Sequence, residues 1–327
     1  MISVETAATT LARLILASVV LLATLIGSDM EAGEKAPTPP NVLDRMWIWT
    51  HAAGAHDGID LGGGRKGKSR MTPVEGAGFL GLRNVYFIHF PNNPPVEEFR
   101  RYAEELRGMK RVVWSLTGAG GDTSAQGREA VLRLAKESPN ITGFVLDDFL
   151  HWSADAPNDA RPATGREKSD PAAQAAGPPV PASMSPEQLK ALRVQIAAAG
   201  RELPITCVIY THQISPRILP HVSQVDKVAM WTWRSDDLAG LEANFEKLRR
   251  IIDPKPILLG CYLFDYGANK PMSVDRMKRQ CELGLKWLEQ GKIEGMIFLA
   301  SNVCDMGLPA VDWTRQWIQS VGKRRER

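Results

Sequence analysis

The sequence of 327 residues predicts an α/β fold, a closed (β/α)8 TIM barrel, and three observations support this prediction. Eight short apolar runs alternate with segments of amphipathic spacing, which is the pattern of a parallel sheet with crossover helices. Connections from a helix to the next apolar run are short, whereas several connections that leave a run are long. One apolar run ends abruptly in two carboxylates, Asp147 and Asp148, as a strand does at the rim of a site.

Each apolar run is predicted to form one barrel strand, and the eight runs are 46–50, 84–90, 111–117, 141–148, 205–212, 227–233, 256–265 and 295–302. Helices are predicted between the runs and after the last one, at 95–109, 126–137, 186–199, 237–252, 274–291 and 305–321. The first and fifth crossovers predict helices poorly, because 72–82 is rich in glycine and 215–225 contains two prolines. The predicted strand–helix alternation therefore rests on the other crossovers.

Two long connections leave strands without an amphipathic pattern of their own. Residues 51–71 are rich in Gly, His and Lys, and residues 152–184, a predicted insertion after the fourth strand, are rich in Pro, Ala and Asp. A long connection of this kind in a compact domain is usually functional or disordered. Both lie where the carboxyl ends of the strands meet, which is the face where barrel enzymes carry their sites.

The barrel is predicted to span residues 46–322, and other segments flank it. Residues 1–33 contain a short apolar core and predict a signal peptide, so the expected location is exported, either periplasmic or extracellular. An uncleaved N-terminal membrane anchor is the alternative. Residues 34–45 are predicted to be a proline-rich linker and residues 323–327 a basic tail. The net charge of +3 gives no signal for nucleic acid.

The chain contains four cysteines, Cys207, Cys261, Cys281 and Cys304, and none are in C-x-x-C spacing. A zinc ribbon and a thioredoxin-type redox pair are therefore not indicated. In an exported protein the four could form disulfides, with three possible connectivities. Cys207 and Cys261 lie inside apolar runs, however, and such positions are typical of buried free thiols.

The fourth run determines where its two carboxylates point. Alternation places Asp147 with the small side chains of Gly143 and Val145, on the face that suits a crowded barrel interior. Asp148 falls on the opposite face, which suits packing under helices, unless a bulge re-aims it. Asp147 is therefore predicted to point toward the barrel mouth, by which we mean the carboxyl end of the strands.

Polar and aromatic side chains follow the predicted strand ends, and work on carbohydrate fits them best. Glycoside hydrolysis needs two carboxyl groups, one protonated as the acid and one ionised as the nucleophile or base. We predict Asp147 and Asp265 as this catalytic pair, with Asp148 tuning or orienting one of them. The predicted substrate-binding residues are His51, His89, Tyr210, His212, Trp231, Trp233, Tyr266 and Asn302. For the tryptophans, packing in the core is the competing interpretation.

The segment Gly-Phe-Val-Leu-Asp that ends at Asp147 resembles the fourth-strand motif of (β/α)8 glycoside hydrolases. In α-amylase-like families a Gly-Phe-Arg-x-Asp pattern ends in the nucleophile, and Asp147 matches that residue. Val145 replaces the family arginine, and Tyr210 and His212 stand where that family has a glutamate. Chitinase-like families end the strand in Asp-x-Asp-x-Glu, of which Asp147 matches the second aspartate and Phe149 occupies the place of the acid. The resemblance implies a divergent glycosidase-like barrel.

Other interpretations remain open. A metal-dependent hydrolase on the same fold would draw its ligands from His51, His56, His89, His212, Asp147, Asp148 and Asp265. A glycan-binding barrel without catalysis would use Asp147 only as a hydrogen-bond partner. The segment 118–121, Gly-Ala-Gly-Gly, could hold an anion through backbone N–H groups. The favoured prediction includes no metal and no cofactor. Its partner is a carbohydrate substrate, and it contacts a membrane only through an uncleaved anchor.

Overall fold

The computed structural model describes residues 41–152 and 180–324. Eight parallel strands form a closed barrel, in which each strand pairs with its neighbours in sequence and the last strand pairs with the first. The predicted (β/α)8 barrel is therefore confirmed. In chain order the barrel strands are β1 Met46–Thr50, β2 Asn84–Phe87, β3 Arg111–Thr117, β4 Ile141–Leu146, β5 Ile205–Tyr210, β6 Lys227–Trp231, β7 Ile257–Tyr262 and β8 Gly295–Leu299.

Helices alternate with these strands, as the amphipathic spacing predicts. A short antiparallel pair, Phe264–Asp265 with Lys270–Pro271, also follows β7. The helices are α1 Pro73–Leu80, α2 Phe99–Glu105, α3 Ala125–Glu137, α4 Pro186–Ala198, α5 Leu219–Val222, α6 Leu241–Ile252, α7 Val274–Glu289 and α8 Pro309–Val321.

The predicted and observed strands differ mainly at their carboxyl ends. The strands predicted over 84–90, 227–233 and 256–265 leave the barrel sheet at Phe87, Trp231 and Tyr262. The apolar pattern continues past these points because the chain stays buried while it turns into the mouth loops. Burial and strand pairing therefore end at different residues.

The two crossovers with weak helical patterns differ in outcome. In the first, Thr72 Oγ1 accepts the N–H of Glu75 at 3.3 Å, and the Glu75 carboxylate accepts the N–H of Thr72 at 2.8 Å. This capping box, with Gly81 at φ +72° as the C-cap, gives the helix α1 despite its glycines. In the fifth crossover the two prolines leave only the four-residue α5.

Large aromatic side chains fill the barrel interior, and small residues make room for them. Trp49 stacks on Tyr86 with ring centroids 5.5 Å apart and meets Trp231 edge-on at 5.3 Å. Trp231 packs on Tyr262 at 4.8 Å. Gly260 lies against the Trp231 ring, where a Cβ would be 2.0–2.3 Å from three ring atoms. The interior is therefore a packed core rather than a channel.

Strand β4 has the two faces that alternation predicts. Phe144 points outward into a pocket lined by Leu132, Ala135 and Ile196 of α3 and α4. Val145, on the opposite face, is completely buried. Because Asp147 follows Val145 by two residues, its side chain continues the inward face toward the mouth.

Both predicted ends of the barrel extend further than expected. Residues Val42–Arg45 form a 3₁₀ turn with Asn41 as its N-cap. The N–H of Val42 donates to the carbonyl of Arg324 at 3.0 Å, and the N–H of Leu43 donates to that of Gly322 at 3.1 Å. The end of the predicted linker and the start of the predicted tail are therefore paired with each other.

Several predicted segments lie outside the described residues, namely 1–33, most of the linker, residues 153–179 of the insertion and the last part of the tail. The described ends of the insertion are held together. The N–H of His151 donates to the carbonyl of Pro181 at 2.8 Å, and that of Ser183 to the carbonyl of Phe149 at 2.9 Å. Within 41–152 and 180–324, no helix has the length and apolar character needed to cross a membrane.

The contact of Gly260 with Trp231 gives a stability prediction. We expect Gly260→Ala to lower the free energy of unfolding by about 1–3 kcal/mol or more, because the aromatic core has no space for the added methyl. Gly78→Ala is the matched control, since a Cβ at Gly78 meets nothing within 4 Å and alanine favours a helix. Denaturant unfolding of the two variants measures the difference. Equal stabilities would contradict the packing described.

Candidate active site

Asp147 follows β4 and lies almost completely inside the protein, with 6% of its surface exposed. Its backbone is fixed by Thr117 at the end of β3. The N–H of Asp147 donates to the carbonyl of Thr117 at 3.1 Å, and Thr117 Oγ1 donates to the carbonyl of Asp147 at 3.1 Å. The carboxyl group is thus held at the mouth end of two neighbouring strands.

Asp148 adopts a left-handed backbone conformation, with φ +43°. Such a conformation is uncommon for a residue other than glycine and turns the chain sharply. It brings the carboxylate to the mouth, where Oδ1 accepts the hydroxyl of Tyr210 at 2.5 Å and Oδ2 accepts the N–H of Gly120 at 2.7 Å. The left-handed backbone therefore turns the Asp148 side chain to the mouth, as a bulge at this position was expected to do. Both aspartates thus face the mouth.

One N–H group of the Gly-Ala-Gly-Gly segment after β3, that of Gly120, donates to the side chain of Asp148. Gly120 and Gly121 both have φ +73°, which favours glycine. At Gly121 a Cβ would lie 2.5 Å from Cε1 of His151 and 2.8 Å from Oγ of Ser183. Glycine at this position therefore permits the loop to pack against the chain that follows Asp148.

Gln213 fixes the position of Tyr210 relative to the loop after β4. Its Oε1 accepts the N–H of Tyr210 at 2.9 Å, and its Nε2 donates to the carbonyl of Leu150 at 2.8 Å. Gln213 is buried, so both of these bonds are shielded from water. The Tyr210 hydroxyl is thereby directed toward Asp148.

The two carboxyl groups have unequal environments. Burial, and then the charge of Asp148, raise the pKa of Asp147 well above its usual range. Burial also raises the pKa of Tyr210 and of Tyr262, and the neighbouring carboxylates add to this effect. The two tyrosines therefore remain neutral donors at physiological pH. The pKa shift of Asp147 favours its protonated form, whereas Asp148 accepts hydrogen bonds from Tyr210 and Gly120.

Beside this pair lies an open cavity of about 510 Å³. Its aromatic lining is extensive: Tyr210 and His212 are parallel to within 3° at a centroid distance of 5.5 Å, and Trp233 meets Tyr210 edge-on at 5.5 Å. Trp233 is 38% exposed, unlike the other tryptophans at strand ends. The cavity is lined by Gly120, Asp148, Leu150, His151, Trp152, Tyr210, His212, Gln213 and Trp233.

Asp265 has surroundings different from those expected of a catalytic carboxylate. It is completely buried, and one carboxylate oxygen accepts both the N–H and the hydroxyl of Ser235. The other oxygen accepts the N–H of Ala268 at 3.0 Å. Asp265 does not line the cavity at Asp148. Its catalytic role stays a prediction from the sequence, whereas its contacts tie together the loops after β6 and β7.

Two further predicted binding residues are buried in the walls of the mouth. Asn302 is completely buried, and its Nδ2 donates to the carbonyl of Ala52 at 2.9 Å. Trp231 is 1% exposed and belongs to the aromatic core. The competing interpretation of core packing thus applies to Trp231, while Trp233 lies at the cavity surface.

The predicted residues His51 and Tyr266 belong to a second group of side chains at the mouth, together with His56. The His51 and His56 rings meet at 4.8 Å, and the Tyr266 hydroxyl lies 3.0 Å from Nδ1 of His56. Nδ1 of His51 lies 3.1 Å from the carbonyl of Ile88, so this nitrogen carries the proton. Burial lowers the pKa of His51 well below its usual range and that of His56 to about 4. Both imidazoles are therefore neutral.

His89 lies between these two groups. Its Nδ1 is 2.8 Å from Oγ of Ser115, and Nε2 is 3.8 Å from Oδ2 of Asp122. Burial lowers the pKa of His89, against the opposing effect of Asp122. In the part of the chain that the structure describes, no three His, Cys, Asp or Glu side chains come together as a possible metal site.

Solved structures with a similar fold share little sequence identity with this chain. The catalytic domain of a hyperthermophilic chitinase from Pyrococcus furiosus is 14% identical over 81% of this chain and 86% of that chain, with a TM-score of 0.45. A provisionally assigned α-L-fucosidase from Bacteroides thetaiotaomicron is 12% identical over 90% of this chain and 100% of that chain, with a TM-score of 0.50. No protein-family model and no curated protein matches the sequence. The predicted resemblance to glycoside hydrolase barrels is confirmed for the fold.

Two contributors to the site, Gln213 and Tyr262, were not identified from the sequence. Gln213 acts through hydrogen bonds to the backbone of two loops, so it has no chemical signature in the sequence. Tyr262 was missed because the strand was predicted to continue to Asp265, which hid the true strand end. The aromatic pattern of the seventh apolar run was the only available signal for Tyr262.

The neutral imidazole of His56 gives a prediction for stability against pH. An unfolded histidine binds a proton near pH 6.5, whereas folded His56 does so only at about pH 4. As pH falls from 6.5 to 4, the wild type therefore loses up to about 3 kcal/mol of unfolding free energy through this residue. We expect His56→Gln to remove that part of the loss. Denaturant unfolding of the wild type and the variant at several pH values measures the difference, and parallel profiles over this interval would contradict a lowered pKa for His56.

Proposed function

We propose that this protein is a carbohydrate-active hydrolase that cleaves a glycosidic bond at Asp147 and Asp148. The observation that carries this proposal is the placement of Asp148 in the lining of an aromatic cavity, directly after the buried carboxyl group of Asp147. Asp147 is buried with a raised pKa, and Asp148 is held at the cavity surface by neutral donors. This inequality is what an acid and a nucleophile or base require.

Asp148 is the group that acts on the sugar directly. Its carboxylate faces the cavity and stabilises positive charge that develops at the anomeric carbon, either by attack or by activation of water. Tyr210 and Gly120 hold both carboxylate oxygens, which fixes the orientation of the group before substrate binds. In this proposal Asp148 takes the place that the sequence suggested for Asp265, because Asp148 lines the cavity and directly follows Asp147, whereas the Asp265 carboxylate accepts hydrogen bonds from Ser235 and Ala268.

Asp147 supplies the proton. Burial, and then the charge of Asp148, raise the pKa of Asp147, and reaction of Asp148 with the sugar removes the second of these effects. The proton of Asp147 is thus released more readily when the leaving-group oxygen needs it.

The aromatic lining supports a sugar as the substrate. Trp233 and Tyr210 present ring faces and edges to a cavity that also contains carboxylate, imidazole and amide groups. A sugar ring has both apolar C–H faces and polar hydroxyls, so it matches such a lining. The barrel of the Bacteroides thetaiotaomicron protein, provisionally an α-L-fucosidase, is consistent with this class of substrate. An exported location would give access to glycans outside the cell.

The first test is Asp148→Asn. We expect this variant to lose at least about 100-fold in kcat on any glycan that the wild type cleaves, because the ionised group is removed from the reacting centre. Asp237→Asn, an exposed aspartate away from the cavity, is the control that keeps activity. A panel of aryl glycosides and oligosaccharides supplies the assay.

Two results would count against the hydrolase. Full activity in Asp148→Asn would remove Asp148 from the mechanism. Binding of glycans without any cleavage by the wild type, measured by calorimetry, would instead favour a glycan-binding barrel that uses the same cavity.

Asp147→Asn gives a second prediction, in which activity and stability change in different directions. Asn resembles the protonated acid in shape, so the fold tolerates it, but it cannot donate a proton to the leaving group. The unfolded chain loses the Asp147 proton near pH 4, whereas the folded protein retains it to higher pH. Wild-type stability therefore falls as pH rises through this interval, relative to the variant.

We expect Asp147→Asn to be at least as stable as the wild type at pH 7–8 and to lose this advantage toward pH 4. Its kcat should fall by about 100-fold or more, most strongly for substrates with poor leaving groups. Unfolding curves and kcat measured across this pH range test both statements. A variant that is less stable than the wild type at pH 8 would contradict a raised pKa for Asp147.

A further inference from the structure

The four cysteines have two kinds of surroundings. Cys207 and Cys304 each direct Sγ to a backbone carbonyl oxygen at 3.5 Å. Cys261 on β7 and Cys281 on α7 are instead neighbours across the strand–helix packing, and both are completely buried. All four thiols are free in the structure. Only one pair is therefore placed to form an internal cross-link.

Contacts on either side of this pair fix the register of α7 on β7. Nε2 of Gln280 donates to the carbonyl of Tyr262 at 3.2 Å. Gly284 lies over Leu259, where a Cβ would be 2.9 Å from Leu259 Cδ2. The two cysteines fall between these contacts, since the helix runs antiparallel to the strand. Gly284 lies about one helical turn from the helix cysteine, so the helix approaches the strand closely here, as the short Cα separation in a disulfide requires.

We propose that Cys261 and Cys281 are a disulfide-forming pair that is oxidised when the chain folds in an oxidising environment. The two thiols form one S–S bond and release two electrons and two protons. These pass to an oxidant of the disulfide class, such as oxidised glutathione or an oxidised thiol–disulfide oxidoreductase, which becomes a pair of thiols. Cys207 and Cys304 remain reduced.

The position of the bond explains what it would stabilise. Strand β7 carries Tyr262, which neighbours Tyr210 and Asp148 at the mouth. A bond between β7 and α7 ties this strand to its outer helix directly behind Tyr262. Burial raises the pKa of the Cys281 thiol, so little thiolate exists in the folded protein. The bond therefore forms during folding, and once formed it resists exchange.

The test is to refold the full chain in a glutathione buffer containing the oxidised form, and in parallel with a reductant. After denaturation, free thiols are alkylated and the protein is analysed by mass spectrometry and peptide mapping. We expect two alkylated cysteines in the oxidised sample, Cys207 and Cys304, with one peptide joining residues 261 and 281. Four alkylated cysteines, or a bond that includes Cys207 or Cys304, would overturn the proposal.

A set of single and double variants distinguishes the effect of the disulfide bond on stability from the effect of side-chain packing. In oxidised samples, Cys261→Ala, Cys281→Ala and the double variant should each lower the unfolding midpoint by the same amount, roughly 5 °C, because each removes one common cross-link. Cys207→Ala, the matched control for loss of a buried thiol, should lower it equally in oxidised and reduced samples. Effects of the first two substitutions that add in the double variant, or that are unchanged by reduction, would refute the bond.

Discussion

Burial of the Asp147 carboxyl beside a second carboxylate is the constraint on which the rest of the mouth depends. Two adjacent buried negative charges are unfavourable, so one of the groups must hold a proton or find compensating donors. The two carboxyl groups meet this requirement in different ways. Asp147 is deprived of water and retains a proton, while Asp148 turns to the cavity and accepts hydrogen bonds from Tyr210 and Gly120.

The backbone around the pair is adapted to this arrangement. The left-handed conformation of Asp148 is unfavourable by itself, and it persists because the surrounding contacts fix it. Gly120 and Gly121 let the loop after β3 reach the carboxylate, and Gln213 holds Tyr210 in place from β5. Three neighbouring units of the barrel thus contribute to one carboxylate. The aromatic core around Trp231 gives them a rigid support.

The mouth is divided into two chemically different halves. The loops after β3 to β6 provide the carboxylates, the aromatic rings and the open cavity. The loops after β1, β2 and β7 provide neutral imidazoles, in which His56 contacts both His51 and Tyr266. A substrate that extends across both halves would meet charge at one end and neutral polar groups at the other. Asp265, buried between the loops after β6 and β7, stabilises the wall near this division.

The barrel, and the place of Asp147 at the end of its fourth strand, could be predicted from local patterns in the sequence. Period-two alternation separated Gly143 and Val145 from Phe144, and apolar runs identified every barrel strand, because burial on both faces leaves a strong local signal. The sequence also placed Tyr210, His212 and Trp233 at strand ends, where they line the cavity.

Two features could not be predicted from local patterns, namely which carboxylate lines the cavity and which cysteines are neighbours. A left-handed backbone angle re-aims Asp148, and the carboxylate of Asp265 accepts hydrogen bonds from Ser235 and Ala268. Neither feature produces a periodic pattern in the sequence. Alternation is a property of an extended strand, and it no longer applies once the chain leaves the sheet and its side chains are positioned by loops from distant parts of the chain.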